Sequence, residues 1–211
     1  MTSPAPTVFV VDDEPSVRKA IERILRAAGL AVSTYASAQD YLERYDPSAP
    51  GCLVLDLAMP GFSGLDLQDV LATRGGAPPI IFLTGHADVP DSVQAMKHGA
   101  VEFLTKPVDD CTLIDAVRNA IEKERIDRSK RSELAEIRRR LGTLTPRESE
   151  VLSYVVSGKL NKQIAAELGT VEKTIKVHRA RVMEKMRVRS LAELVQVAAR
   201  AEITSGPEPK A

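Results

Sequence analysis

Five polar side chains follow predicted strands in the first half of the chain, at the ends where parallel sheets bind ligands. Asp12 and Asp13 follow one apolar run, Asp56 follows a second, and Thr84 and Lys106 follow two more. Because the carboxyl ends of parallel strands meet at one edge of a sheet, we expect these residues to converge. Three carboxylates would repel one another without a cation, and ligand sets made only of oxygen favour Mg²⁺.

These side chains could carry out phosphoryl chemistry at one aspartate. A cation beside Asp56 would neutralise charge on the oxygens of a phosphoryl group and so make the carboxylate usable as a nucleophile. Thr84 would supply a hydroxyl donor to a phosphoryl oxygen, and Lys106 would supply a point charge. The pattern therefore predicts a pocket that binds Mg²⁺ and takes up a phosphoryl group.

The segments before these residues predict the fold that positions them. Short apolar runs alternate with stretches of helical periodicity, which is typical of an α/β fold with a parallel sheet. Four runs are continuously apolar or nearly so, as expected of strands covered on both faces, whereas the more polar run at 31–35 suits an edge. We expect a doubly wound sheet of five parallel strands, at 7–11, 31–35, 52–55, 80–83 and 102–104.

Five motifs in this half resemble, in the same order, those of the receiver domain of two-component response regulators, which has a flavodoxin-like fold. The match spans residues 7–121, and its motifs are Asp12-Asp13, Asp56, Met59-Pro60-Gly61, Thr84, and Phe103-Leu104-Thr105-Lys106-Pro107. The stretch Thr84–Pro90 and the pair Gly99-Ala100 are similar to the FixJ branch of that family.

The resemblance implies a role for each residue around the nucleophile. Asp56 would accept the phosphoryl group from a phosphohistidine on a sensor histidine kinase, and Lys106 would pair with the phosphoryl oxygens. Asp13, Asp56 and the main-chain carbonyl of Ala58 would bind Mg²⁺ directly, while Asp12 would act largely through water.

The resemblance also implies a switch. Thr84 and Phe103 would form a pair in which the hydroxyl moves onto the phosphoryl group and the aromatic ring turns inward. The peptide bond between Lys106 and Pro107 is often cis in this fold.

The chain is uncharged overall, but its halves have opposite charge. Residues 1–122 carry 9 lysines and arginines against 17 acidic residues, a net charge of −8, and residues 123–211 carry 20 against 12, a net charge of +8. An acidic half joined to a basic half suggests a cation-binding module fused to one that meets phosphates. The segment 122–141 is highly charged and predicts a helical linker. Whether Leu134, Ile137 and Leu141 form a coiled-coil seam stays open.

Beyond the linker the sequence predicts only helices. Capping boxes begin at Thr145 and Ser190, and Gly158 and Gly169 lie where helices would end. We expect four helices, at 146–157, 161–168, 171–186 and 190–200. Residues 142–200 resemble the LuxR-type (NarL/FixJ) helix-turn-helix output domain. The matching stretches are Leu144-Thr145-Pro146-Arg147-Glu148, Val151-Leu152, Gly158, Asn161-Lys162, Ile164-Ala165, Leu168, Thr174-Ile175-Lys176-Val177-His178 and Lys185-Met186.

The helix at 171–186 is predicted to be the one that reads DNA. At about 100° per residue, its inward arc comprises Val171, Ile175, His178, Val182 and Met186. The opposite positions, which should face the major groove, are Lys173, Lys176, Val177 and Ala180. Phosphate contacts suit the flanking positions, which are Thr174, Arg179 and Arg181. Lys176 is the best candidate for a guanine contact and Val177 for a thymine methyl. We expect Arg147, Glu148 and Glu150 to form an internal charge network rather than to contact DNA.

The sequence thus predicts a DNA-binding transcriptional regulator rather than an enzyme, with at most slow autophosphatase activity. We expect a receiver domain at 1–121, the linker at 122–141, a helix-turn-helix domain at 142–203 and a disordered tail at 204–211. Phosphorylation would promote a homodimer that binds double-stranded promoter DNA, and RNA polymerase is an expected partner. The sequence shows no signal peptide or membrane span, so a cytoplasmic location is expected.

Two other interpretations compete with this one. A phosphohydrolase of the haloacid dehalogenase type also uses an aspartate nucleophile, but it requires a second aspartate two residues later, where this chain has Ala58. Alternatively, the receiver is vestigial and the DNA-binding domain works through protein contacts alone. The intact set of pocket residues argues against that interpretation.

Overall fold

A computed structural model of the chain describes residues 5–74, 76–85 and 89–203. The chain divides into two compact units, Met1–Arg128 and Ser129–Ala211. The tail expected at 204–211 and motif residues 86–88 lie outside the described residues. Within those ranges, no helix combines the length and the apolar character needed to cross a bilayer.

The first unit is a parallel sheet with helices on both faces. Its strands are β1 (Thr7–Val11), β2 (Ala31–Tyr35), β3 (Gly51–Leu55), β4 (Ile80–Thr84) and β5 (Glu102–Thr105). Their order in the sheet is β2-β1-β3-β4-β5, and every neighbouring pair is parallel. The helices that follow the strands are α1 (Pro15–Ala27), α2 (Ala38–Glu43), α3 (Gly64–Arg74), α4 (Val89–Lys97) and α5 (Asp110–Leu141). The predicted sheet is confirmed, with β2 at an edge.

The two faces of the sheet form separate apolar cores because successive strand residues point to opposite sides. Val10 and Ile81 belong to the core that contains buried residues of α1 and α5, whereas Val11 and Phe82 belong to the core that contains residues of α2 and α3. All residues of β3 and β4 are buried, which explains their continuous apolar runs. Complete burial of one valine, leucine, isoleucine or phenylalanine side chain stabilises the folded state by about 1.5–3 kcal/mol.

Helix α4 is attached differently from its neighbours. Ala95 is the one buried residue among the nine of this helix, and Val89 is 75% exposed. Polar contacts from α3 hold the C-terminal end of α4. Gln68 donates from Nε2 to the main-chain carbonyl of Ala95 at 3.0 Å, and Asp69 Oδ1 lies 2.7 Å from His98 Nδ1. Two polar contacts from α3 therefore add to the single buried side chain in fixing this helix.

Helix α5 runs without interruption from the first unit into the second, so the expected linker is helical and continues the preceding helix. Arg128 ties the helix to the first unit, since it donates to the main-chain carbonyls of Ser48 at 2.7 Å and Ala49 at 3.0 Å. Its Nε also donates to Glu124 Oε1 at 2.7 Å. These bonds attach this part of α5 to the first unit. The domain boundary at residue 121 stays a prediction.

The second unit contains the end of α5 and four shorter helices. They are α6 (Pro146–Val156), α7 (Asn161–Glu167), α8 (Glu172–Met186) and α9 (Leu191–Arg200). Each predicted helix is confirmed, with ends that differ by at most one residue. Ile137 and Leu141 of α5 pack into the core of this unit with Leu152, Ile164 and Val182. Those two positions of the possible seam thus contribute to this core.

Glu148, at the start of α6, is a buried carboxylate at the centre of a polar cluster. Its carboxylate accepts hydrogen bonds from the main-chain N–H of Thr145 at 2.9 Å and from Lys185 Nζ at 2.6 Å. Lys185 also donates to the Thr143 carbonyl at 3.0 Å. The hydrogen bonds from Lys185 and Thr145 lower the pKa of Glu148 to about 2. The carboxylate therefore stays ionised while it completes the capping box.

Arg147 and Glu150 form the other part of the expected charge network. Arg147 Nη1 lies 2.9 Å from Glu150 Oε2, and Nη2 donates to the Leu168 carbonyl at 2.6 Å. The predicted internal network is present as two clusters, because Glu148 pairs with Lys185 rather than with Arg147.

Candidate functional site

Three carboxylates meet at the carboxyl ends of β1 and β3. Asp12 and Asp13 follow β1, Asp56 follows β3, and ligand oxygens of all three lie within 4.8 Å of one another. Asp12 and Asp56 are buried, and Asp13 is more open to solvent. The main-chain N–H of Asp56 donates to the Val11 carbonyl at 2.8 Å, which locks the two strand ends together. The predicted convergence of the carboxylates is therefore present.

Lys106 is the cation within this cluster. Its main-chain N–H donates to the Thr84 carbonyl at 2.8 Å, and its Nζ lies 2.6 Å from Asp12 Oδ2 and 2.9 Å from Asp56 Oδ2. Partial burial alone would lower the pKa of Lys106, but the hydrogen bonds with Asp12 and Asp56 outweigh that effect and raise it. Lys106 and the guanidinium of Arg18, which reaches the Asp12 carbonyl, place two positive charges beside three carboxylates, which leaves an excess of negative charge.

Asp12 and Asp13 differ in how many hydrogen bonds their side-chain oxygens already accept. Asp12 Oδ1 accepts from the Glu14 N–H at 2.8 Å, Oδ2 accepts from Lys106, and the main-chain carbonyl accepts from Arg18 Nη1 at 2.6 Å. The Asp13 side chain makes no hydrogen bond to any part of the chain that the structure describes. A set of oxygen ligands with excess negative charge and one uncommitted carboxylate fits a hard divalent cation such as Mg²⁺.

A glycine lets helix α3 begin directly against the nucleophile candidate. A Cβ atom added at Gly64 would lie 2.4 Å from the main-chain oxygen of Asp56, so no larger residue fits without a shift of the backbone. The Gly64 N–H donates to the Leu57 carbonyl at 3.0 Å. The loop from Asp56 to Gly64 is therefore held on the sheet. Ala58, in this loop, is exposed, and its N–H is 3.4 Å from Asp56 Oδ1.

The two residues of the expected switch lie on adjacent strands. Thr84 ends β4 and is fully buried, and Phe103 lies on β5, where it pairs in register with Phe82. The rings of Phe82 and Phe103 are 6.2 Å apart, and Phe103 is half-buried. The bond between Lys106 and Pro107 is cis. The side chains are in place, and their switching role stays a prediction.

Helix α8 of the second unit presents a charged face to solvent. Its exposed residues include Lys173, Lys176, Val177, Ala180 and Arg181, and those that are half-buried include Thr174, His178 and Arg179. Ile175, Val182 and Met186 are buried, as expected for the core side. Arg179 Nη1 donates to Asn161 Oδ1 of α7 at 2.7 Å, so its guanidinium is oriented before any ligand binds.

The prediction is wrong for one residue of the inward face of this helix. Val171 is 64% exposed, because it is the N-cap of α8 and has extended backbone angles of φ −99° and ψ 151°. Helical periodicity does not apply to a residue outside the helix.

Two functional or structural partners were not identified from sequence. Arg18 contacts the pocket from α1, and its only sequence signal is its place one turn into the helix that follows the aspartate pair. Lys185 pairs with Glu148 across 37 residues of chain, and local spacing gives no signal of such a contact.

Two family models together match most of the chain. Residues 8–118 match the response regulator receiver domain, and residues 142–198 match the bacterial regulatory proteins of the luxR family. The chain belongs to the response regulators.

Relatives that match over nearly the whole length of this chain support this assignment. This response regulator is 47% identical over 190 residues to nodulation protein W of Bradyrhizobium diazoefficiens, covering 90% of this chain and 84% of that protein. It is 42% identical to the transcriptional regulatory protein FixJ of Azorhizobium caulinodans, covering 90% of each. The resemblance to the FixJ branch is therefore confirmed.

Solved structures lead to the same family. The low-resolution structure of response regulator StyR has a TM-score of 0.85 and 45% identity, and the match covers 93% of this chain and 100% of that one. Full-length FixJ from B. japonicum has a TM-score of 0.57 and 37% identity, with coverage of 94% and 98%. The chain is thus a receiver with a LuxR-type DNA-binding domain, a combination found in transcriptional regulators and not typical of enzymes.

Proposed function

We propose that this response regulator takes up a phosphoryl group on Asp56 from the phosphohistidine of a sensor histidine kinase. The observation that carries the proposal is the cluster of three carboxylates with Lys106 within hydrogen-bond distance of Asp56. An oxygen of Asp56 attacks phosphorus, the phosphorus–nitrogen bond breaks, and the donor imidazole keeps the electron pair. Lys106 then pairs with the phosphoryl oxygens.

Asp13, Asp56 and the main-chain carbonyl of Ala58 are proposed to bind Mg²⁺ directly, and Asp12 through water. The different commitment of the two neighbouring aspartates supports this division, because both Asp12 oxygens already accept hydrogen bonds. When bound, Mg²⁺ neutralises charge on the oxygens of the transferred group.

Thr84 and Phe103 are proposed to convert phosphorylation into a change of surface. The Thr84 hydroxyl moves onto the phosphoryl group, and the Phe103 ring turns into the space that it leaves. This shifts the face formed by α4, β5 and α5 toward a homodimer. The shallow attachment of α4 supports the proposal, since a helix with one buried residue can move at low cost.

The dimer is proposed to bind double-stranded promoter DNA through two copies of α8 in successive major grooves, about 34–36 Å apart. The residues proposed to face bases are Lys173, Lys176, Val177 and Ala180. The residues proposed to meet phosphates are Thr174, Arg179 and Arg181. Lys176 suits guanine and Val177 suits a thymine methyl, because of their donor and apolar groups respectively.

The remaining proposals concern the whole chain. We place the receiver at 1–121, the linker at 122–141 and the DNA-binding domain at 142–203. A regulator bound to chromosomal promoters works in the cytoplasm and meets RNA polymerase there. Hydrolysis of the phosphorylated aspartate is at most slow, so that it times the signal rather than turning over a substrate.

The test compares wild type with Asp56→Asn in acetyl phosphate and Mg²⁺. We expect the intact mass of wild type to rise by one phosphoryl group and its molar mass in light scattering to shift toward a dimer, with neither change in Asp56→Asn. Asp46→Asn, which removes an exposed aspartate from the loop after α2, outside the proposed dimer face, is the matched control. Unchanged dimerisation of Asp56→Asn under the phosphodonor would refute the proposal. A wild type that gains no mass would identify the receiver as vestigial, and rapid turnover of small phosphate esters would identify a phosphohydrolase.

A further inference from the structure

Arg18 holds the main chain at the point where β1 leads into the pocket. It lies one turn into α1, and its Nη1 donates to the Asp12 carbonyl over 2.6 Å. A hydrogen bond from a charged guanidinium is shorter and stronger than one between neutral groups. The residue is half-buried, so this bond is partly shielded from water.

The bend between β1 and α1 needs such a donor. The strand pairing of β1 ends at Val11, and α1 begins at Pro15, so the Asp12 carbonyl belongs to neither ladder. The N-cap residue Glu14 makes no side-chain cap. Arg18 therefore supplies the donor to this carbonyl that regular structure does not.

Fixing the Asp12 carbonyl also fixes the residue after it. The peptide unit between Asp12 and Asp13 is planar, so the direction of the carbonyl sets the direction of the Asp13 N–H and the place of its Cα. Asp13 has no side-chain hydrogen bond within the described part of the chain to hold it. Its position thus depends on the main chain that Arg18 holds.

We propose that Arg18 is a positioning residue of the cation site, which orients the Asp12–Asp13 peptide so that the Asp13 carboxylate is ready for a divalent ion. The inference rests on the proposed role of the pocket. It goes beyond that role because Arg18 acts through the main chain and touches neither the ion nor the phosphoryl group.

Removal of Arg18 should change the cation affinity in opposite directions, depending on whether Arg18 positions Asp13 or acts only through its charge. Arg18 adds a positive charge beside three carboxylates, so removing that charge alone would tighten the binding of a divalent cation. Loss of positioning would weaken binding, since groups that orient metal ligands typically account for about 10–100-fold in affinity. The sign of the change therefore separates the two roles.

The experiment measures Mn²⁺ affinity of the full chain by electron paramagnetic resonance, and the Mg²⁺ dependence of phosphorylation by acetyl phosphate. We expect Arg18→Ala to weaken Mn²⁺ binding about 10-fold. Saturating Mg²⁺ should restore most of its phosphorylation rate, because Asp56 and Lys106 remain. Arg18→Lys, which keeps one charged donor, should recover part of the affinity. Arg23→Ala, which removes an exposed arginine of the same helix, is the control for charge and should not weaken binding.

Unchanged or tighter Mn²⁺ binding by Arg18→Ala would overturn the inference while leaving the proposed function intact. A wild type that binds no Mn²⁺ and gains no phosphoryl group would overturn both. If Arg18→Ala does not fold, Arg18→Gln and Arg18→Lys decide. If folded Arg18→Gln binds Mn²⁺ more weakly than wild type and Arg18→Lys recovers part of the affinity, the positioning role is supported. If both variants bind Mn²⁺ with the affinity of wild type, the positioning role is rejected.

Discussion

Two clusters in which a lysine pairs with a buried carboxylate have similar contacts and different charge balance. Lys106 Nζ lies 2.6 Å from an oxygen of Asp12 in the first unit, and Lys185 Nζ lies 2.6 Å from an oxygen of Glu148 in the second. The second cluster has one lysine for one carboxylate, and the main-chain N–H of Thr145 satisfies the carboxylate further. The first has one lysine for three carboxylates.

The difference separates a structural use of buried charge from a functional one. A balanced pair with its hydrogen bonds satisfied holds two helices together and leaves no charge for a ligand. An unbalanced cluster is unfavourable alone and becomes favourable when a cation enters. Excess charge, rather than the presence of a buried ion pair, is therefore what indicates a ligand site.

Removing the lysine of the unbalanced cluster should have the largest effect. Lys106→Ala leaves Asp12 and Asp56 buried without their cationic partner, so we expect the free energy of unfolding of the first unit to fall by about 3 kcal/mol in EDTA. Saturating Mg²⁺ should restore part of this loss. Urea unfolding followed by tyrosine fluorescence reports it, since three of the four tyrosines lie in this unit. Lys97→Ala, at an exposed position of α4, is the control. If Lys106→Ala lowers the free energy of unfolding equally in EDTA and in Mg²⁺, the cluster of three carboxylates is not a cation site.

Neutralising the balanced cluster should have a smaller effect, confined to the second unit. Glu148→Gln weakens the capping box and removes the charge partner of Lys185, so we expect a loss of about 2 kcal/mol. Hydrogen exchange of peptides from residues 142–200 in urea measures it. Phosphorylation by acetyl phosphate should be unchanged. Glu150→Gln, in an exposed pair, should cost under about 1 kcal/mol. A Glu148→Gln chain that loses phosphorylation would contradict the structural assignment.

The same cluster should make the second unit sensitive to acid. The pKa of Glu148 is about 2 in the folded chain and 4.5 is its ordinary value, so the unfolded chain takes up the proton first as pH falls. The stabilisation is complete above pH 4.5 and is lost progressively toward pH 2. The difference in unfolding free energy between wild type and Glu148→Gln should therefore shrink across that window. A difference that stays constant down to pH 2 would exclude Glu148 as its source.

The smallest expected effect is stabilisation by the cation itself. At Mg²⁺ ten times its dissociation constant, the first unit should gain about 1.4 kcal/mol, and the second unit should gain nothing. Asp13→Asn should abolish this gain and should raise stability in EDTA, because one carboxylate fewer remains to repel the others. A gain of similar size in both units would mean that Mg²⁺ acts on the surface and not in the pocket.

The sequence was sufficient for the sheet and for the carboxylate cluster. Apolar runs and helical stretches alternate along the first half, and parallel strands bring residues such as Asp12 and Asp56 to one edge wherever the helices between them lie. The capping box at Thr145 was equally readable, because its partners are three residues apart. These features depend on local pattern or on topology.

Contacts between distant elements were not predictable in the same way. Arg147, Glu148 and Glu150 were expected to form one charge network, but the partner of Glu148 is Lys185, which the packing of α6 against α8 brings close. Val171 was assigned to the core because periodicity cannot show at which residue a helix begins. Arg18 was missed because its partner is a main-chain carbonyl, which leaves no pattern of side chains to detect.

Helix α4 has a consequence for the dynamics of the receiver. Because Ala95 is small and is the only side chain of this helix inside the core, little apolar area must be exposed for the helix to open by itself. Its amide hydrogens should exchange with solvent through such local openings, long before those of the fully buried strands β3 and β4. Substitutions on its outer face, at exposed positions such as Val93, can then alter what the protein binds while the free energy of unfolding changes little. The receiver thus carries a segment whose sequence can change under selection for partners while the sheet beneath it stays the same.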